Sequence, residues 1–279
     1  MKRLQLLTAA AAVVVTVSAL ALAGGASAAS SLPTVNVALS GTQGITVSGS
    51  LVSGAVNVVA THTGAGMGSF AFVRLNPNIP ASEAISEGFA AVASHGGDEN
   101  ALTAVDDLVL VSADAPGSVQ TVLTPGNWLA LNTSGMGNPG SSEFTVATSS
   151  SPAALPTPAV TLKTIEFGFR GPKVLHNGTI VREVNDGFLV HMNILIGVKS
   201  KAAGKKVLAL LLAGKSQSSA HKYLNGKFVD LIDPASPGAM QQETLNTKAG
   251  YYVEACFMNA EDGREHTQLG MERLIKVVS

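Results

Sequence analysis

Short segments rich in Val, Ile, Thr and Leu, interrupted by Gly, Pro and Asn, run through almost the whole chain after residue 30. Such segments are typical of β-strands separated by turns. The clearest is FLVHMNILIGVK, in which alternate residues from Phe188 to Val198 are apolar and share one face. The opposite face carries Leu189, His191, Asn193 and Leu195. The sequence therefore predicts an all-β fold.

Seven further segments have the same character, and two others have helical composition. The further predicted strands are Val35–Ser40, Ile45–Ser50, Ala55–Thr61, Phe70–Leu75, Ser118–Leu123, Asn127–Asn132 and Glu143–Ala147. The predicted helices are Ile79–Ala93, with Ser82 as its N-cap, and Ser200–Gly214, with Gly214 just beyond its C-terminal end.

The N-terminus predicts the compartment. Lys2 and Arg3 precede an apolar run that closes on Ala26-Ser27-Ala28, the small-residue pattern of a cleavage site. We interpret residues 1–29 as a signal peptide and expect a secreted, extracellular protein. The apolar stretches that follow, such as Val207–Gly214, are too short for a transmembrane helix, so we expect no membrane span.

The composition also divides the chain. Ser, Pro and Ala crowd together at Thr148–Val160 without apolar periodicity, as in a linker. The stretch 31–150 holds one basic and eight acidic residues, whereas 151–279 holds fifteen basic and eleven acidic residues. Neither half is basic enough to predict nucleic-acid binding. We expect domains at 30–148 and 160–279, joined by a linker at 149–159.

The order of segments is similar in the two halves, each predicted helix following a strand and preceding further strands. This order predicts an internal duplication in which each copy is a β-sandwich with an inserted helix. Aligning Gly126 with Gly250 places Asn132 opposite Cys256. Aligning Gly64 with Gly187 places Gly68 or Ser69 opposite His191. Any metal site formed by these residues therefore belongs to the second copy alone.

Cys256 is the single cysteine of the chain and has no partner for an internal disulfide. It is buried and inert, paired between chains, or used as a ligand or nucleophile. Cys256 and His266 also suit a thiol nucleophile and its base, but the sequence offers no convincing residue to orient the histidine and no Gly-rich oxyanion segment. We therefore do not expect an enzyme.

Four residues of the second half carry a family resemblance. His191 lies on a strand after an N-x-G turn, GYYVEAC ends at Cys256, and HTQLGM supplies His266 and Met271 before a closing strand. This order resembles the cupredoxin-like proteins, including the plastocyanin and azurin types. The resemblance implies two tandem Greek-key β-sandwiches and, in the second, a copper ion held by these four side chains. Thiolate and imidazole suit copper, and the axial thioether contact is weak.

The spacing of Cys256 and His266 departs from that family, in which two to four residues separate the equivalent pair. Nine residues lie between them here. If Asp262-Gly263 formed a two-residue hairpin turn, Asn259 would face His266, which would lie about 10 Å along the ladder from Cys256. The ending, which reads C-F-x4-D-G-x2-H-x3-G-M, also resembles that of a group of secreted cupredoxin-like proteins, and it supports the fold more strongly than the metal.

Two functions follow from the sequence. The first is a secreted cupredoxin-like protein that binds one copper ion in the second domain, for electron transfer or copper handling with a redox or cell-surface partner. The alternative is a metal-free extracellular β-sandwich module with a structural or protein-interaction role, in which Cys256 is a buried core residue.

Overall fold

The computed structural model describes residues 31–77, 80, 82, 86, 108–135, 139–215 and 217–279, and it confirms the all-β fold. Residues 1–30, which contain the predicted signal peptide, and most of the predicted helix Ile79–Ala93 lie outside the described residues. Leu32–Ser279 forms one compact unit. In the part of the chain that is described, none of the helices has the length and apolar character needed to cross a bilayer.

Seventeen strands and two α-helices are described. In the first half the strands are β1 Thr34–Ser40, β2 Gly44–Gly49, β3 Gly54–Thr63, β4 Gly68–Arg74, β5 Leu108–Ala115, β6 Gly117–Leu123, β7 Gly126–Asn132 and β8 Gly140–Val146. In the second half they are β9 Val160–Ile165, β10 Gly168–Arg170, β11 Val174–His176, β12 Ile180–Asn185, β13 His191–Val198, β14 Leu224–Ala235, β15 Met240–Thr244, β16 Gly250–Ala255 and β17 Glu272–Val278. The helices are α1 Lys201–Leu212 and α2 Gln217–Ala220, and short 3-10 turns occupy His221–Tyr223 and His266–Leu269.

The strands form two sandwiches with the same topology. In the first, a sheet in the order β6-β3-β1-β2 faces a sheet in the order β5-β4-β7-β8. In the second, the corresponding orders are β15-β12-β9-β10 and β14-β13-β16-β17, with β11 added at the edge. Gly126 and Gly250 each begin the equivalent strands β7 and β16, with φ of 133° and 158°. Each sandwich encloses its own apolar core.

Helix α1 begins and ends where the sequence predicts. The Ser200 side chain accepts a hydrogen bond from the backbone N–H of Ala203, as an N-cap residue does. Gly214, at φ 61°, donates to the Leu211 carbonyl, and Lys215 donates to the Leu210 carbonyl. These two bonds form the Schellman motif that closes many helices. The predicted ends of this helix are therefore confirmed.

The alternating strand β13 is shorter than the sequence predicts and is covered by helix α1. Val207 and Leu211 of α1 pack against Val198 and Val253, so β13 and β16 are covered on both faces. Strand β13 begins only at His191, and Phe188 is 85 % exposed. The prediction that Phe188 shares the apolar face of the strand is wrong, because the chain is still in the preceding turn at that residue.

The two sandwiches share one sheet. Strands β6 and β15 pair antiparallel, with Gln241 opposite Thr121 and Gln242 opposite Gln120, which makes an eight-stranded sheet. The buried Gln241 carboxamide accepts a hydrogen bond from Ser112 N–H and donates to the Ser112 and Leu231 carbonyls. The joint between the halves therefore contains buried polar contacts.

A cluster of carboxylates lies beside this joint. Asp114 of β5 approaches Asp230 and Asp233 of β14, with carboxylate oxygens within 4.8 Å of one another. Burial, followed by the charges of Asp233 and Asp114, raises the pKa of Asp230 to about 9. Burial and the charge of Asp114 raise the pKa of Asp233 to about 6 and that of Glu243 to about 7.

These carboxylates predict that stability falls as the pH rises from 7 to 9. The folded state retains the Asp230 and Glu243 protons in a range where the unfolded chain has released them, so this stabilisation is complete below about pH 4 and is lost as the pH rises through the folded-state pKa values. Thermal unfolding should occur a few degrees lower at pH 9 than at pH 7. Asp230→Asn should reduce that difference. An unfolding temperature that is equal or higher at pH 9 would contradict this assignment.

We propose that residues 160–279 form an independent domain, because they contain a complete sandwich with its own core. A fragment that begins at Pro156 should unfold in one cooperative transition when monitored by circular dichroism and by Tyr fluorescence. The full chain serves as the control. A fragment without a cooperative transition would show that the shared sheet makes the two halves one folding unit.

Candidate metal centre

A tight turn places His191 at the start of β13. The Asn185 carboxamide donates to the Leu189 and Ala235 carbonyls, and its oxygen accepts from the Gly187 N–H. A side chain at Gly187 would put its Cβ 2.6 Å from Glu166 Oε1 and 3.1 Å from His191 Nε2. The glycine therefore leaves the space that these two side chains occupy.

Cys256 directly follows β16, and backbone hydrogen bonds fix its position. Its N–H donates to the Met271 carbonyl at 3.3 Å, which ties the end of β16 to the beginning of β17. The Met192 N–H donates to Cys256 Sγ at 3.4 Å. A hydrogen bond to the sulfur favours its thiolate form, which is the form that binds metals.

The segment between Cys256 and His266 does not form a straight two-residue hairpin at Asp262-Gly263. The isolated bridge pairs Asn259 with Glu265, not with His266, and the turn closes through Gly263 N–H to the Ala260 carbonyl. A 3-10 turn then starts at His266, and Met271 N–H donates to the His266 carbonyl. The chain curls back toward β16, so the separation of about 10 Å that a straight hairpin would give does not occur.

Three predicted ligand atoms converge as a result. The distances are 3.2 Å between the two imidazole Nδ1 atoms of His191 and His266, 3.4 Å from Cys256 Sγ to His266 Nδ1, and 3.9 Å from Cys256 Sγ to His191 Nδ1. Metal–nitrogen bonds of about 2.0 Å and metal–sulfur bonds of about 2.3 Å put such atoms about 3.3–3.8 Å apart around one ion. The triangle therefore has the size that a shared ion requires.

Burial controls the charge of this cluster. His191, Cys256 and His266 are all 0 % exposed. Burial, with a smaller contribution from the neighbouring His266, lowers the pKa of His191 to about 4. His191 is therefore neutral at physiological pH, and a neutral imidazole nitrogen can donate its lone pair to a metal.

Met271, the fourth predicted ligand, packs beside Cys256. It is fully buried and packs in one apolar cluster with Val190, Cys256 and Met258. The four predicted site residues thus lie together, three through their ligand atoms and Met271 through packing. A soft sulfur and nitrogen donor set of this kind suits copper.

Two residues that sequence reasoning missed cover the cluster. Phe167 lies in the turn between β9 and β10, and its ring meets the His266 ring edge-on at 5.1 Å. Its φ is 52°, an unusual conformation for a bulky residue. The neighbouring Glu166 accepts a hydrogen bond from the Phe188 N–H. No pattern in the sequence marks this turn, because the contact joins segments about a hundred residues apart.

A buried polar network supports the strands behind the site. The Asn193 carboxamide donates to Glu183 at 2.9 Å and to Glu254 at 2.8 Å, and Arg273 binds Glu254 from the opposite position on β17. Burial and the charge of Glu254 raise the pKa of Glu183 well above its usual range. The inward-facing Asn193 was visible in the sequence, but its partners were not.

The first sandwich has the same framework with different side chains at the equivalent places. Gly68 begins β4 as His191 begins β13, and Asn132 ends β7 where Cys256 follows β16. The buried Asn132 carboxamide donates to the Gly41 and Gly44 carbonyls of the β1–β2 turn. Among the described residues, the clusters that could hold an ion are the His191 group and the Asp114 carboxylates.

The Glu254–Arg273 pair yields a stability prediction. Arg273→Met leaves the Glu254 carboxylate buried without its cation and should lower the free energy of unfolding by about 3–5 kcal/mol. Adding Glu254→Gln should restore much of the loss. Arg264→Met, in the exposed Arg264–Asp262 pair, is the control and should leave stability nearly unchanged. Equal losses for Arg273→Met and Arg264→Met in chemical denaturation would refute the role of the buried pair.

No protein-family model matches the sequence, and no curated protein matches it. Solved structures similar to the chain include an auracyanin from Roseiflexus castenholzii, with 16 % identity over 43 % of this chain and 95 % of that one, and a TM-score of 0.27. An azurin from Methylomonas sp. strain J has 11 % identity over 43 % and 96 % of the two chains, with a TM-score of 0.23. A copper-containing nitrite reductase from Thermus scotoductus has 12 % identity over 88 % and 67 %, with a TM-score of 0.26. The strand order and the convergence of His191, Cys256 and His266 are observed in this chain itself, which has a cupredoxin-like fold.

Proposed function

We propose that the second sandwich binds one copper ion through His191, Cys256 and His266, with Met271 as a weak axial ligand. The observation that supports this most strongly is the triangle of two imidazole nitrogens and one sulfur, with sides of 3.2, 3.4 and 3.9 Å. A bound copper ion would supply one-electron redox chemistry. The protein's side chains orient the donors, exclude water and hold the sulfur near a backbone N–H.

We propose electron transfer or copper handling, and not catalysis, as the role of this site. Catalytic metal sites keep a coordination position open to substrate, whereas all the ligand residues here are buried. The same burial argues against Cys256 as a hydrolytic nucleophile, although its sulfur lies 3.4 Å from His266 Nδ1. An electron can pass through a closed protein shell, but a bulky substrate cannot.

We further propose that the protein acts outside the cell and that its halves arose by duplication. The signal-like N-terminus supports secretion, and the equal strand orders of the two sandwiches support duplication. The change from Cys256 to Asn132 at equivalent positions then gives one copy the site and leaves the other as scaffold.

A metal-free module is the second candidate. The Nδ1 atoms of His191 and His266 are 3.2 Å apart, which is also a hydrogen-bonding distance. With one imidazole protonated at Nδ1 and the other not, the two Nδ1 atoms can hydrogen-bond to each other without an ion. Cys256 would then be a buried core residue, and the sandwiches would serve a structural or protein-interaction role.

Copper titration separates the two candidates. Copper(II) bound to the Cys256 thiolate should give an intense visible charge-transfer band, which Cys256→Ser should abolish. His191→Ala and His266→Ala should each weaken copper binding by more than the about 10–100-fold typical of outer-shell changes. Met271→Leu should keep the band and shift the reduction potential, because the thioether contact is weak.

The control for the histidine variants is His62→Ala, because His62 lies beside Gly68 in the first sandwich and should not affect the band. A wild-type protein that shows no band and binds no more copper than Cys256→Ser would refute the copper proposal and favour the metal-free module.

A further inference from the structure

The turn Glu166–Phe167, here called the cap, accounts for part of the burial of the metal centre. The Phe167 ring lies edge-on against the His266 ring, with 5.1 Å between centroids and 85° between planes. On the other side, Glu166 accepts the Phe188 N–H, and Gly187 leaves the space between Glu166 and His191. The cap therefore contacts or approaches both imidazoles at once.

The cap is attached to the fold by a short strand. It joins β9 to β10, which is three residues long, forms the edge of the eight-stranded sheet and pairs with β9 through Gly168, Phe169 and Arg170. Phe167 adopts φ 52°, which bulky residues rarely tolerate. Short edge strands and strained turns open at lower free-energy cost than the core of a sheet.

The equivalent turn in the first sandwich is held differently. Strands β1 and β2 pair through six residues on each side, from Val35–Gly49 to Ser40–Gly44. Their turn is bonded to the core by the Asn132 carboxamide, which donates to the Gly41 and Gly44 carbonyls. The turn of the first sandwich is fastened by a buried side chain of its own β7, whereas the cap is held by the hydrogen bond from the Phe188 N–H to Glu166 and by the aromatic contact of Phe167 with His266.

We propose that the cap is a gate over the metal centre and that Phe167 is a positioning residue for His266. Closed, it shields Cys256 and orients the His266 ring so that Nδ1 faces the sulfur. Displacement of Phe167 admits metal ions and small reagents to Cys256. The gating of metal rests on the proposed copper function, whereas the shielding of the thiol does not.

The first test uses the metal-free protein and the modification rate of Cys256, the single thiol. Phe167→Asn removes the ring but keeps a residue that tolerates positive φ, so the turn should persist. The rate of alkylation by iodoacetamide should rise at least about tenfold, because the shielded thiol becomes accessible without global unfolding. Phe167→Tyr, which keeps the ring, should react at the wild-type rate.

Two controls separate gating from general destabilisation. Thr42→Ala, in the β1–β2 turn, should leave the alkylation rate unchanged. Val181→Ala, a core change in the second sandwich, lowers stability without touching the cap. An unchanged rate in Phe167→Asn would overturn the proposal. The proposal would also be overturned if Val181→Ala raised the alkylation rate as much as Phe167→Asn does when both variants lose the same unfolding temperature.

The second test loads the variants with copper and measures its removal by a chelator. Phe167→Asn should bind the same number of ions as the wild type and release them faster, by a factor comparable to that for alkylation. If alkylation accelerates but no variant binds copper, the gate stands and the copper function fails. If copper binds but its release is not faster in Phe167→Asn, the gating of metal is refuted.

Discussion

The contact of the Cys256 sulfur with the Nδ1 atoms of His191 and His266 is the interaction on which this account depends. It requires three chain segments that are distant in sequence: the start of β13, the end of β16 and the 3-10 turn before β17. Hydrogen bonds from Cys256 to Met271, from Met271 to His266, and from Met192 to the sulfur hold these segments together. A donor set held in advance costs little reorganisation when an ion binds.

Residues around this contact also hold its three chain segments in place. The pair Glu254–Arg273 joins β16 to β17 at the base of the site, and Asn193 links it to Glu183 of β12 in the opposite sheet. Above the site, Phe167 packs on His266. The first sandwich keeps the strand order but places Asn132 where the thiol would be, which shows that the fold does not need the site.

Much of the fold could be predicted from the sequence because its signals are local. Alternation marks the strands, and Ser200 and Gly214 mark the ends of α1. The exposed Phe188 was misplaced because the alternating pattern continues into a turn that ends only where Asn185 bonds to Leu189. Strand β5 was missed, and the shared sheet was not predicted because the β6–β15 pairing joins residues more than a hundred positions apart.

The sequence named the four residues of the candidate site but did not give their arrangement. His191, Cys256, His266 and Met271 could be identified by their order and chemistry, since they resemble a known ligand set. Their convergence depends on how the nine residues between Cys256 and His266 curl, because a straight hairpin at Asp262-Gly263 would have held the two side chains much farther apart. Glu166 and Phe167 gave no signal in the sequence, because Phe167 meets the site through His266, which is about a hundred residues away in the chain.

X-ray absorption spectroscopy at the copper edge tests the central claim most directly, because it reports the atoms that surround the metal. Copper-loaded protein should show one short copper–sulfur contact and two copper–nitrogen contacts from imidazole, and the sulfur contact should be absent in Cys256→Ser. A spectrum with nitrogen and oxygen neighbours only, the same in both proteins, would show that copper binds elsewhere and that the buried cluster is not a metal centre.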